Sequence, residues 1–217
     1  GIMRADTLDD AIRLQNSTGY GLTGGLHSLD EKEIAYWRNR VEVGNAYINR
    51  GITGAIVERQ SFGGWKNSSI GSGAKAGGPN YVGQQGTWTD GDLSVRPNIS
   101  VNPTVARLLR DLESRFGAAL TGDDRTWLWR AAELDAVAWR DELGVEHDRT
   151  ALIAESNVFR YRPLIEPLNV RVGDNYALRD LLRLVLASRL TGTKIVISAN
   201  ELDAQLTELG ALGARIR

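Results

Sequence analysis

The stretch from residue 50 to about 93 constrains this chain most. Eleven of its 24 glycines fall there, and no helical or strand period is sustained. Compact domains seldom carry so long and glycine-rich a loop unless it binds something. On its N-terminal side, short strands and helices alternate. Asp6 or Thr7 caps a helix with Leu8, Ala11, Ile12 and Gln15 on its inner face and Asp9 and Asp10 in its first turn. Residues 22–28 read as a short strand broken by Gly24-Gly25. Asp30 caps a second helix bearing Ile34, Trp37 and Val41, with Glu33 placed for a capping box. Residues 43–49 alternate as a strand, with Ala46 and Ile48 on one face and Tyr47 on the other.

Beyond Pro97 the pattern turns helical and then alternates again. Asn102-Pro103 opens a helix striped by Val105, Leu108, Leu109 and Leu112, and a second runs from about Asp123 to Leu143. Strands are expected at 151–154, 158–162 and 168–172, then a helix over 177–190, a strand over 194–198 and a helix from Glu201. Strand-helix-strand order with short connections predicts a parallel sheet with covering helices, so the class is α/β. Residues 1–5 read as the interior of a strand and 214–217 as the opening of another, which suggests a piece of a longer protein.

Charge is balanced at 26 basic against 27 acidic side chains, which argues against a nucleic-acid partner. No apolar run approaches the roughly 20 residues of a membrane span, and no secretory pattern opens the chain. The expectation is a soluble, cytoplasmic protein without a transmembrane segment. Cysteine is absent, which removes disulfides, cysteine-ligated zinc and thiol nucleophiles from this chain. With only His27 and His147, no metal site is expected. His27 reads as a packing or hydrogen-bonding residue in a strand-like stretch, and His147 as a solvated loop residue.

The loop itself carries the chemistry. Thr53-Gly54-Ala55 follows a strand and offers small side chains with accessible backbone N–H groups, the makings of a nest for a carboxylate. Phe62 follows, beside Gly63-Gly64, where bare backbone can pass close to something bulky. Together they suit a small amino-acid-like substrate. A tight structural turn under a packed aromatic explains the same residues, and composition leaves the two readings even. Residues 71–78 invite a phosphate-loop reading, but Pro79-Asn80-Tyr81 follows where a helix would have to start. Thr191-Gly192-Thr193 lacks the glycine spacing of a dinucleotide site. Trp127, Trp129 and Trp139 suggest either an aromatic ligand box or burial. Arg160 and Arg162 alternate with Phe159 and Tyr161, as on a half-exposed strand.

The phrase Gly44-Asn45-Ala46-Tyr47-Ile48-Asn49-Arg50-Gly51-Ile52-Thr53-Gly54-Ala55-Ile56-Val57-Glu58-Arg59-Gln60-Ser61-Phe62-Gly63-Gly64, continued by residues 73–81, resembles the C-terminal part of the L-glutamate gamma-semialdehyde (1-pyrroline-5-carboxylate) dehydrogenases. The resemblance runs from Gly1 to about Trp88 and includes Leu22-Thr23-Gly24-Gly25-Leu26-His27-Ser28. It implies NAD-dependent oxidation of glutamate semialdehyde to glutamate. Thr53, Gly54 and Ala55 would hold the substrate's alpha-carboxylate and Phe62 would pack on its aliphatic chain. The family's catalytic cysteine and most of its NAD-binding residues would lie upstream, so no catalytic residue is assigned here and the chain alone would be inactive. Ser61 stands where the family usually has proline, which implies a looser approach to Phe62. From about Asn98 the chain resembles, more loosely, the C-terminal extension of the bifunctional proline utilisation A proteins, which join a proline dehydrogenase to the semialdehyde dehydrogenase.

These resemblances imply three segments: 1–93, the C-terminal part of an aldehyde dehydrogenase catalytic domain; 94–150, a helical linker region; and 151–217, a truncated, degenerate Rossmann-like tail. They also imply a homo-oligomer, with residues 81–88 as a candidate contacting strand. The alternative is a non-catalytic module that caps a tunnel or supports oligomerisation.

Overall fold

The computed structural model describes residues 1–56, 59–70, 74–89, 100–148, 150–164, 166–211 and 215–216. The chain forms two compact units, Gly1–Thr89 with Asp148–Asn157 and Asp90–His147 with Val158–Arg217. The 93/94 boundary and Gly71-Ser72-Gly73 lie outside the described residues.

In the first unit, α1 (Leu8–Asn16) starts at Thr7, whose hydroxyl accepts from the Asp10 N–H at 3.1 Å and donates to its carboxylate at 2.8 Å. Its buried Ile12 joins Trp37 of α2 (Glu31–Arg38), Val41 and Val43 in a small core. Asp30 caps α2, but the capping box is relayed rather than closed directly. The Asp30 N–H donates to Ser28 Oγ at 3.0 Å, and Ser28 donates to the Glu33 carboxylate at 2.7 Å.

Four short strands follow from the alternation: β1 (Tyr20–Gly21), β2 (Thr23–Leu26), β3 (Asn45–Ile48) and β4 (Trp65–Lys66). β2 pairs parallel with β3 and β1 antiparallel with β4. Gly24-Gly25 does not break β2, against expectation. Both residues pair in register and are closely approached: a Cβ on Gly25 would sit 2.7 Å from Ile52 Cγ2, and one on Gly24 would crowd the Gln15 amide and lie 3.1 Å from Val43. On β3 the buried face is Asn45 and Tyr47, while Ala46 is exposed. His27 lies past the end of β2 and is exposed, not packed.

Three strand expectations fail here. Residues 1–5 are exposed and irregular, since no neighbouring strand satisfies their backbone. Within residues 81–88 the structure has a 3₁₀ turn, Val82–Gln85, instead of a strand. Residues 151–154 form a turn, with Ala151 (φ 45°) and Ala154 (φ 59°) in left-handed conformations.

Lys75 lies along Gly63 and donates from Nζ to the Gly44 carbonyl at the start of β3. Burial lowers its pKa to about 8.

The second unit is built on α3 (Pro103–Phe116), α4 (Gly122–Ala138) and a π turn at Trp139–Leu143. β5 (His147–Asp148) and β6 (Val158–Phe159) are two-residue strands, so the strand expected over 158–162 is cut short. Then come β7 (Leu168–Arg171), α5 (Leu178–Thr191), β8 (Ile195–Ser198), α6 (Ala204–Ala211) and β9 (Arg215–Ile216). β7, β8 and β9 make a parallel sheet in that order, as the alternation predicts. Leu109, Leu112, Leu128, Leu182, Leu186, Ile197 and Leu209 form one core from α3, α4, α5, α6 and β8. α5 stops at Gly192, whose φ of 73° suits glycine.

The three tryptophans divide. Trp127 packs half-buried on this core beneath Arg179 and Arg183, whose guanidiniums lie 5.1 and 5.5 Å from its ring. Trp129 donates to Glu113 at 2.8 Å. Trp127 and Trp139 line an open groove of about 550 Å³ with Leu143 and Leu184. His147 is half-buried and its Nε2 is enclosed without a hydrogen-bond partner, so it is not a solvated loop residue. Arg160 donates to Glu146 at 3.3 Å. Among the described residues no helix is long and apolar enough to cross a membrane, and no cluster of side chains suits a metal ion.

Two outcomes follow. Leu182 is fully buried, so Leu182→Ala lowers stability by about 2–5 kcal/mol in urea unfolding. Lys75 releases its proton at lower pH folded than unfolded, so the folded state binds fewer protons between about pH 8 and 10.5. Its contribution to stability therefore rises with pH across that window and is flat below it. The urea midpoint of the unaltered protein, taken relative to Lys75→Met at each pH, climbs from pH 8 to 10; a constant difference rules this out.

Candidate functional site

The site hangs from β3. At its C-terminal end the chain turns at Asn49, which adopts φ 55° and is held by reciprocal bonds with Ser28: the Ser28 N–H donates to Asn49 Oδ1 at 2.9 Å, and Asn49 Nδ2 donates to the Ser28 carbonyl at 2.8 Å. Beyond Arg50 comes the candidate anion nest. Gly54 has φ 81°, and nothing lies within 4 Å of where its Cβ would be, so glycine serves backbone conformation there and not close packing. Thr53 and Gly54 are exposed and Ala55 is half-buried. Their three backbone N–H groups find no acceptor among the described residues. The segment closes where the Ile56 carbonyl accepts from Arg59 N–H at 3.1 Å and Gln60 N–H at 2.7 Å. Val57 and Glu58 lie outside the described residues.

At the other end of β3, one buried amide brackets Phe62. Asn45 Nδ2 donates to the Ser61 carbonyl at 2.9 Å, and the Gly63 N–H donates to Asn45 Oδ1 at 3.1 Å. Phe62 pairs with Ala76 through two backbone hydrogen bonds of 3.0 Å. Its ring is 41% exposed, so it is not part of a core. Ser61 donates from Oγ to the Gly77 carbonyl at 3.3 Å. The hydroxyl that replaces the usual proline ring therefore ties this turn by another route. No hydrogen bond joins Phe62 to residues 53–55; what they share is attachment to opposite ends of one strand.

Several residues of the site escaped sequence reasoning. Asn45 left a signal, a lone amide on the inner face of an otherwise apolar strand. Lys75 left a weaker one, a single long cationic side chain among glycines. Glu155 left none. It comes from the 148–157 turn, which Asp148 organises by accepting from the N–H groups of Thr150 and Asn157 at 3.0 and 3.3 Å. Those bonds, with that of the Ser156 hydroxyl, hold the Asp148 carboxyl down at about 2. Glu155 accepts from Arg59 at 2.5 Å and faces Arg50 at 3.5 Å. Gln60 donates to Asn157 Oδ1 at 3.1 Å, and Asn157 donates to Glu155 at 2.9 Å. The Asn157 amide and the Arg59 guanidinium keep the Glu155 carboxyl below its usual range.

The β7–α5 turn does not fit a dinucleotide. The turn between β7 and α5 has a single glycine, Gly173, and carries Asp174 and then Asp180 in the first helical turn, where a pyrophosphate would be repelled.

Comparison with known proteins gives the chain's relatives. Residues 1–85 match the model of the aldehyde dehydrogenase family. The chain is 51% identical over 81 residues to the bifunctional protein PutA of Rhizobium meliloti, covering 37% of this chain and 6% of that protein. It is 46% identical over 79 residues to a 1-pyrroline-5-carboxylate dehydrogenase of Geobacillus thermodenitrificans, covering 36% of this chain and 15% of that protein. Among solved structures, proline utilization A (PutA) from Corynebacterium freiburgense matches 100% of this chain at 47% identity with a TM-score of 0.74. This chain spans 22% of that protein's length, so it corresponds to a minor part of its relatives. Residues 1–85 are accordingly similar to part of an aldehyde dehydrogenase family domain, within a chain similar along its whole length to a proline utilization A.

Proposed function

We propose that this chain forms part of an NAD-dependent dehydrogenase that oxidises L-glutamate gamma-semialdehyde to glutamate in proline catabolism, and that its share of the work is to hold the substrate. The observation that carries this reading is the run of backbone amides at Thr53, Gly54 and Ala55 that find no acceptor among the described residues. Consecutive N–H groups bent at a left-handed glycine suit an anion such as a carboxylate. The half-exposed ring of Phe62 would cover the substrate's methylene chain. A packed structural turn would have used up those amides and buried that ring.

The nucleophilic cysteine must come from outside this sequence, which has none. It would attack the aldehyde to give a thiohemiacetal, which must lose a hydride to become a thioester, and hydrolysis of that thioester would release the acid. NAD would likewise be held by residues outside this sequence, and when bound it would supply the hydride acceptor that the oxidation needs. By the same resemblance, a proline dehydrogenase domain would supply the semialdehyde and the protein would be oligomeric.

The test is Ala55→Asp in the protein that contains this chain, assayed with the semialdehyde and with an uncharged aldehyde of similar length. A carboxylate placed in the nest repels the substrate's own. The KM for the semialdehyde rises at least about tenfold, or ~1.4 kcal/mol, while turnover of the uncharged aldehyde persists. Unchanged kinetics on both makes the loop structural and favours the non-catalytic interaction module.

A further inference from the structure

We propose that Glu155 is a positioning residue for the substrate-holding loop: one carboxylate, borne on the 148–157 turn, ties down both ends of the loop through Arg50 and Arg59. This inference rests on the proposed function and adds a residue to it that lies 96 positions along the chain from Arg59.

Arg50 and Arg59 flank the loop that carries the free amides, one just before it and one just after. Each guanidinium sits at the end of a long side chain, and two like charges so placed repel each other. Glu155 lies between them, with Oε2 2.5 Å from Arg59 and Oε1 3.5 Å from Arg50. The two ends of the loop are thereby drawn to a common point. The Arg50 guanidinium also lies over the Tyr47 ring at 5.3 Å, which ties the first end back to β3. Beside it, the Gln60 amide bonds Asn157 at 3.1 Å, and Asn157 in turn fixes the Glu155 carboxylate at 2.9 Å.

The turn that delivers Glu155 is itself constrained. Asp148 gathers the Thr150 and Asn157 amides and the Thr150 hydroxyl, the last at 2.9 Å. Two alanines, Ala151 and Ala154, take left-handed conformations that such residues seldom adopt. Glu155 follows directly on the second of these.

A role in stability alone does not explain the arrangement. The Arg50, Arg59 and Glu155 side chains are 37%, 37% and 31% exposed, and ion pairs so close to solvent contribute little to folding. Their geometric effect is larger, because a nest of amides binds a carboxylate only while its N–H groups converge.

The experiment uses the full protein containing this chain, with Glu155→Gln and Glu155→Asp. Glu155→Gln raises the KM for the semialdehyde about fivefold or more, with kcat and the KM for the uncharged aldehyde within about twofold. Glu155→Asp, which keeps the charge at shorter reach, falls between. Hydrogen exchange of the peptide spanning residues 50–60 accelerates in Glu155→Gln while β2 and β3 are unchanged. A semialdehyde KM that stays the same or falls, in a protein where Ala55→Asp raises it, overturns the positioning role and leaves the substrate reading intact. If Ala55→Asp has no effect, the substrate reading fails. Exchange then decides alone whether Glu155 holds the loop: unaltered exchange of residues 50–60 overturns the proposal, and faster exchange upholds it.

Discussion

Asn45 makes two hydrogen bonds from one buried side chain, and the candidate site is organised around them. Its amide donates to the residue before Phe62 and accepts from the residue after it. An unpaired amide in that position would carry a desolvation cost of about 1–3 kcal/mol, so the strand and the turn hold each other in place. Gly44, one residue earlier, takes the Lys75 ammonium on its carbonyl and has no room for a side chain, because a Cβ there would meet the backbone of Gly63 and Gly64. Strand, aromatic turn and buried lysine therefore form one interlocked element, and neither a larger residue at 44 nor an apolar one at 45 fits it.

The loop at the other end of β3 is held by different means. Among the described residues, three amides in a row in it find no acceptor. Its ends are fixed by side chains: Asn49 on Ser28 at the strand, and the arginines on Glu155 beyond. A binding loop of this kind needs rigid ends and a free middle. Packing the middle against apolar neighbours would remove the hydrogen-bonding capacity that makes it useful.

The second unit follows simpler rules. Its helices and the parallel β7-β8-β9 sheet bury one leucine-rich core, and the β7–α5 turn carries a single glycine. An α/β layout of this kind does not dictate a ligand site. Binding depends on the turn at the strand's end, and here that turn is acidic where a phosphate would need to approach.

Local chemistry determined the helices. Thr7, Asp30 and Asn102 cap where their short polar side chains allow, and α3 and α5 follow the period of their leucines. The glycine-rich loop, the Thr53–Gly54–Ala55 phrase and the exposed aromatic beside it were legible for the same reason, since backbone freedom is a property of the residues themselves. What depended on distant neighbours was not. Gly24-Gly25 looks like a strand breaker until Ile52 and Val43 occupy the space their side chains would need. Residues 151–154 are apolar enough for a strand, yet Asp148 draws the segment they belong to into a turn. Asn45 reads as an oddity in an apolar strand until Ser61 and Gly63 come to it. Glu155 reads as an ordinary surface carboxylate, and only folding, by placing it between Arg50 and Arg59, makes it part of the site. Side-chain periods and caps act within a turn or two of chain and so are written in the sequence. Close packing and charge pairing act between segments up to 96 positions apart, and those meet only in the folded molecule.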